Sequence, residues 1–288
     1  PITDHRSPIT DHRSPITDHR SPITDHRSPI TDHRSPITDH PNDENPAMTK
    51  NQAPVDCLAL GAHPDDVELG CGGTIASLTS KGKSVAIADL TEGEMGTRGS
   101  VEERYLEAAE AAKILGVEIR KNLQIPDAGI RDTDENRLKL ISLLRNLRPQ
   151  IVFAPYPDDR HPDHIHAGNL IREACFYSGL GKIGKELGEP FRPEIILYYM
   201  VSTDFPPLII SDISDFFEHK MKSIKAYRSQ FYNPEYEGEE TFISSKGYFD
   251  SIEARAAYFG WKAGVRFGEP LWFRGPLKVS SVFSLLNC

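Results

Sequence analysis

The chain is poor in the residues that staple a fold or span a membrane. Its four cysteines, Cys57, Cys71, Cys175 and Cys288, are scattered over 288 residues with no CxxC spacing. That excludes a disulfide framework and a cysteine-rich zinc cluster, and fits reduced thiols in a cytoplasm. No apolar run approaches the roughly 18 residues of a spanning helix, and no apolar leader core stands at the N-terminus. A cytoplasmic location with no membrane partner is expected. Basic charge is also short: 33 Lys and Arg face 42 Asp and Glu, for a net charge of −9. With no basic stripe, nucleic acid is not the expected partner. What is present is ordinary globular material, 38% apolar and 26% charged, long enough for one large α/β core.

Residues 1–40 are "PITDHRS" five times, then "PITDH". The period of seven does not make a coiled coil, because each repeat holds a helix-breaking proline and one isoleucine. Such a tract cannot bury enough surface to offset its ordering entropy. Residues 1–47 are expected to be a disordered tail and 48–288 a single domain, with Met48 as the natural start. The repeat histidines are read as solvated, with loose metal binding the alternative.

Beyond the tail, strands alternate with helices. Apolar runs at 55–62, 83–90, 121–125, 150–155 and 194–200 read as strands. Helical spacing falls at 72–82, 100–116, 134–149, 163–180, 212–231 and 248–264. Ser100 and Glu103 form a capping box, with Ala109, Ala112 and Leu115 on one face. Gly70, Gly72 and Gly73 suit a tight strand-to-helix turn, and no GxGxxG dinucleotide fingerprint occurs. This alternation predicts an α/β, Rossmann-like fold, a mostly parallel sheet with helices on both faces. Ligands then bind beyond the carboxyl ends of the strands.

Two acidic-histidine stretches fall at those ends, "GAHPDDVELGCGG" (61–73) and "DDRHPDH" (158–164). Buried carboxylates are costly unless paired, and one divalent metal between the two loops would pair them. His63, Asp66 and His164 can supply the three protein ligands of a catalytic zinc site. Asp65 is then free to accept a proton from a bound water. His161 can stabilise an oxyanion or protonate a leaving group, and Asp163 can orient an imidazole. Iron(II) (Fe2+) shares these ligands with zinc (Zn2+).

"AHPDDVELGCGGTIA", "RYLEAAEAAKILG", "PDAG" and "FAPYPDDRHPDHIHAG" resemble the LmbE-like, or N-acetylglucosaminyl-phosphatidylinositol de-N-acetylase, superfamily. Within it, the bacillithiol-biosynthesis deacetylase group is the nearest likeness. The resemblance implies a zinc-dependent hydrolase that removes an N-acetyl group from a glucosamine conjugate, here N-acetylglucosaminyl-malate. Another N-acetyl sugar, free or diacetylchitobiose-like, is the alternative substrate. By the same likeness His63, Asp66 and His164 match metal ligands, Asp65 the base, and His161 the transition-state histidine with Asp163 beside it. Arg104 matches a substrate-contacting arginine and Tyr248 a tyrosine that helps polarise the acetyl carbonyl. Arg160 is placed to meet malate carboxylates. A homo-oligomer is implied as well. Where many members read HPDDE, Val67 here separates Asp66 from Glu68, which is read as a first-turn acid favoured by the helix dipole. A non-catalytic, metal-stabilised sugar-binding protein and a phosphoester hydrolase are the other classes considered. The spare Asp65 speaks against the first, and the lack of a phosphate-cradling loop against the second.

Overall fold

The computed structural model describes residues 53–276, 278, 279 and 281. The repeat tract, Met48 and Cys288 lie outside them. Seven strands form one sheet: β1 (Cys57–Gly61), β2 (Val85–Asp89), β3 (Ile119–Asn122), β4 (Ile151–Pro155), β5 (Ile195–Tyr199), β6 (Ile209–Asp212) and β7 (Gly268–Trp272). Their order is β3-β2-β1-β4-β5-β7-β6. The first five run parallel, while β7 is antiparallel to both of its neighbours. Strand order reverses direction at β1, which has β2 on one side and β4 on the other. A crevice forms at such a switch point, outside the carboxyl ends of the strands.

The helices are α1 (Asp66–Ser80), α2 (Val101–Ile114), α3 (Asp134–Leu147), α4 (Pro162–Tyr177), α5 (Phe217–Ala226) and α6 (Lys246–Ala263). They cover both faces of the sheet. Cys57 and Ala59 of β1 point into one core layer, with Ile75, Ala111, Ile224 and Ile252. Leu58 and Leu60 point into the other, with Leu140, Leu144, Leu170 and Ile171. The two-residue period of a strand thus feeds both layers from one apolar run. Cys57, Cys71 and Cys175 are free, buried thiols; burial pushes Cys57 up to about 11 and Cys175 to about 12.

Several expectations shift. The Ser100–Glu103 capping box is present, but the buried face of α2 runs through Arg104, Glu107, Ala108, Ala111 and Ala112, and Ala109 is exposed. The third strand lies two to three residues earlier than its apolar run. The expected 212–231 helix is shorter, since Asp212 ends β6 and α5 spans only Phe217–Ala226. Strands β6 and β7 were not foreseen.

The largest correction concerns the glycines. Gly70, Gly72 and Gly73 lie inside α1, which starts at Asp66. A Cβ at Gly70 would sit in the Tyr199 ring, and one at Gly73 would strike Ile213. Close helix packing requires Gly70 and Gly73, whereas a Cβ at Gly72 would meet only ordinary contacts. α1 is also broken: Cys71 has φ −142° and ψ 21°. Two residues from distant elements fill the break. Lys220 Nζ donates to the Glu68 and Leu69 carbonyls at 3.2 and 2.7 Å. The Glu269 carboxylate accepts the Gly73 and Thr74 amides at 3.0 and 2.7 Å. Lys220 and Glu269 pair with each other at 2.5 Å. Charged hydrogen bonds of this kind satisfy groups the broken helix leaves open.

Candidate active site

Both acidic-histidine stretches converge at the switch point. The β1 end is pinned first: Tyr199 Oη donates to the Leu60 carbonyl at 2.7 Å, and the Thr91 amide and hydroxyl bond the Ala62 carbonyl at 3.1 and 2.9 Å. The chain then turns through Asp65, whose φ of 120° is a left-handed conformation rare for a residue with a side chain. Such geometry costs about 1–3 kcal/mol and persists where the surroundings impose it. Here Arg104 imposes it. Its guanidinium donates to the Pro64 carbonyl at 2.7 Å and the Gly93 carbonyl at 3.0 Å, and reaches Asp65 Oδ2 at 3.4 Å.

Asp66 opens α1 and holds both histidines. Its Oδ1 lies 3.1 Å from His164 Nε2, and its Oδ2 lies 3.6 Å from His63 Nδ1. Donor atoms of His63, Asp66 and His164 lie within 4.8 Å of one another, as do those of His63, His161 and Asp163. Each imidazole is gripped from behind. His63 Nε2 lies 3.1 Å from Asp127 Oδ1 and 3.5 Å from Asp163 Oδ2. His164 Nδ1 lies 3.1 Å from Asp159 Oδ1, and the other oxygen of Asp159 accepts the Ser202 and Thr203 amides. A carboxylate behind a histidine fixes its ring and tautomer, as around bound metals.

The electrostatics fit a cation at the centre. Burial opposes charge on His63, yet hydrogen bonds to Asp127, Asp163 and Asp66 carry it well above its ordinary range. His164 is likewise buried, yet Asp66 and Asp159 lift it to about 9. Burial pushes Asp66 up, but His164 and His63 outweigh this and hold it well below the carboxylate range. Protons on two imidazoles thus balance the acids, and a divalent ion would displace them on binding. Asp65 differs: burial raises it to about 7 against the pull of Arg104. His161 is exposed and caps α4, its Nδ1 accepting the Asp163 amide at 3.2 Å. Partial desolvation of the ring and the neighbouring histidines lower its pKa. An Nδ1 that accepts leaves the proton of the neutral ring on Nε2, as a donor.

The remaining expected residues lie around this centre. Asp163 turns its carboxylate to His63 and the Ala128 amide and not to the His161 ring, so the imidazole it holds is that of the other loop. Arg104 is no surface arginine; it is 4% exposed and spent on Asp65 and two carbonyls. Tyr248 enters from the first turn of α6, its phenol raised by burial and within the field of Asp65, Asp66 and Arg160. Arg160 lies at the mouth, its guanidinium 4.2 Å over the Phe242 ring. Glu68 is the first-turn acid expected, but it is fully buried, and its Oε1 accepts from Arg120 at 2.6 Å and Tyr227 at 3.1 Å. Two site residues escaped sequence reasoning. Asp127 reads as a turn residue in "PDAG", although its place after β3 at the same sheet edge was a signal. Asp159 sits inside the second acidic stretch, where Asp163 drew the attention.

Residues 58–175 match the PIG-L family, described as GlcNAc-PI de-N-acetylase. The chain is 34% identical over 227 residues to a diacetylchitobiose deacetylase of Thermococcus kodakarensis, covering 75% of this chain and 82% of that protein. It is 27% identical over 186 residues to a probable N-acetyl-α-D-glucosaminyl L-malate deacetylase 2 of Bacillus cereus, covering 60% and 82%. Among solved structures, the conserved protein TT1542 from Thermus thermophilus superposes with a TM-score of 0.70 at 43% identity, over 79% of this chain and 97% of that one. The chain belongs to the PIG-L, LmbE-like family. It is a deacetylase, as the family resemblance of its sequence implied. Assignment to the bacillithiol group does not follow, since the chitobiose enzyme shares more of this sequence than the malate enzyme does.

Proposed function

We propose that this deacetylase removes the acetyl group from an N-acetylglucosamine-type sugar, foremost a diacetylchitobiose-like disaccharide, with one zinc ion held by His63, Asp66 and His164. The observation that carries this reading is the convergence of those three donors, each ring backed by a carboxylate, beside an Asp65 carboxyl left outside the set. A site that only held structure would close its shell and have no use for Asp65. When bound, zinc, or iron(II) with the same donors, supplies a polarised carbonyl and a water that loses its proton near neutral pH.

The protein's own groups do the rest. Asp65 takes the proton of the attacking water on a carboxylate oxygen, a task that suits a carboxyl lifted by burial toward neutrality. Arg104 keeps Asp65 in its left-handed turn. His161 offers its Nε2 proton to the oxyanion or the departing amine, and Tyr248 assists from α6. Asp163 fixes the ring of His63, and Arg160 meets the substrate at the mouth.

N-acetylglucosaminyl-malate is the second reading, carried by the Bacillus cereus relative. No described helix is long and apolar enough to cross a membrane, and a small sugar conjugate is the partner we assign. Free amine released by the full chain from N,N'-diacetylchitobiose, N-acetylglucosamine and N-acetylglucosaminyl-malate, after chelation and after zinc return, tests the reading. Zinc-restored release, fastest on the disaccharide, is expected. Release from the malate conjugate alone would transfer the substrate to bacillithiol synthesis, and release from none would overturn the proposal. Light scattering on the same sample tests the homo-oligomer that the family likeness implies.

A further inference from the structure

Phe242 is 60% exposed, and the reaction as described does not use it. A lone exposed aromatic needs no explanation, but this one is bracketed by two residues of the mouth. The Arg160 guanidinium lies 4.2 Å over its ring, and the Tyr248 ring meets it edge-on at 5.3 Å. Its base is built. The Thr241 amide donates to Ser244 Oγ at 2.8 Å, the Ser244 amide returns to Thr241 Oγ1 at 3.3 Å, and Ser245 Oγ donates to the Phe242 carbonyl at 2.8 Å. Ser245 then caps α6 through the Tyr248 amide. One turn therefore fixes Phe242 and Tyr248 together.

The charge around the ring narrows what can lie on it. The segment leading to Phe242 carries exposed Glu235, Glu237, Glu239 and Glu240. Arg98 ties that segment down, with a bond to the Glu239 carbonyl at 3.3 Å and its guanidinium 4.4 Å over Tyr236. Like charge disfavours a dicarboxylate over the roughly 8 Å reach of a Debye length, an effect that the cationic Arg160 on the ring offsets in part. A neutral ring meets no such penalty, and a pyranose has an apolar C–H face that lies flat on an aromatic. The Arg160 guanidinium over the ring carries N–H donors that suit sugar hydroxyls.

We propose that Phe242 is a specificity-determining residue, the platform for the second pyranose of a neutral N-acetyl disaccharide whose first ring presents its acetamide to the cleft. The inference rests on the N-acetyl-sugar deacetylation proposed above. The test compares kcat/KM of the full chain on N,N'-diacetylchitobiose and on N-acetylglucosamine. Phe242→Ala is expected to lower the disaccharide-to-monosaccharide ratio about tenfold, chiefly through KM, and Phe242→Trp to restore it. A common loss on both sugars, or an unchanged ratio, would overturn the platform while leaving deacetylation standing. No turnover of either sugar by the wild type would remove the underlying reading. Neutralising Glu237, Glu239 and Glu240 together to Gln is expected to raise kcat/KM on N-acetylglucosaminyl-malate. No change there would overturn the charge argument. Thermal melting confirms that each variant is folded.

Discussion

The two loops that make the site are alike in sequence and unlike in their setting. The β1–α1 loop is buried, strained at Asp65, and tied to the sheet by Arg104, Thr91 and Tyr199. The β4–α4 loop and the first turn of α4 bury Asp159, Asp163 and His164 but leave Arg160 and His161 in the open. One loop is an anvil. The other is half anchor and half working edge. Two histidine-acid stretches of similar composition therefore divide the labour of holding and reaching, and the division follows burial.

Substitutions can break or sharpen this contrast. The largest effect is expected at Asp65→Asn, which keeps the shape and the contact with Arg104 but removes the base. Turnover should fall about 10³-fold with zinc content unchanged, read by amine release and metal analysis. His161→Ala should cost about 10²-fold in kcat with zinc at its wild-type level, and should lower stability by about 1 kcal/mol because the side-chain cap of α4 is lost. A loss of metal there would place His161 with the anchor. Asp163→Asn should weaken zinc binding about tenfold by loosening the ring of His63, measured by competition with a chromophoric chelator. The smallest effect is on stability: Asp65→Gly, which lacks the base as Asp65→Asn does, should stabilise the metal-free protein by about 1 kcal/mol in urea, by releasing a left-handed residue. Were this variant less stable, Asp65 would not be strained.

Much of this was legible in the chain. β1, β2 and β4 are short apolar runs, α2 begins with its own capping box, and both loops carry their ligand types in adjacent letters. Their meeting follows from the switch in strand order. The unread parts have their reasons elsewhere. Asp127 looks like any turn aspartate until β3 is set beside β2. Glu269 stands between a glycine and a proline in β7, a sequence that reads as loop. Its carboxylate makes sense only against the break in α1, 195 residues away in the chain. The glycines of α1 look like a turn because their neighbours, Tyr199 and Ile213, come from other elements.

The break in α1 bears on the order of assembly. The two halves of that helix cannot complete their hydrogen bonds by themselves. The carbonyls of Glu68 and Leu69 wait for Lys220 on α5, and the amides of Gly73 and Thr74 wait for Glu269 on β7. Contacts this remote in sequence form late, after the loop-closure cost between them has been met. The helix that carries Asp66 is thus finished by the last strand of the sheet. A nascent chain that has not yet supplied β7 holds the letters of the site without a settled place for them.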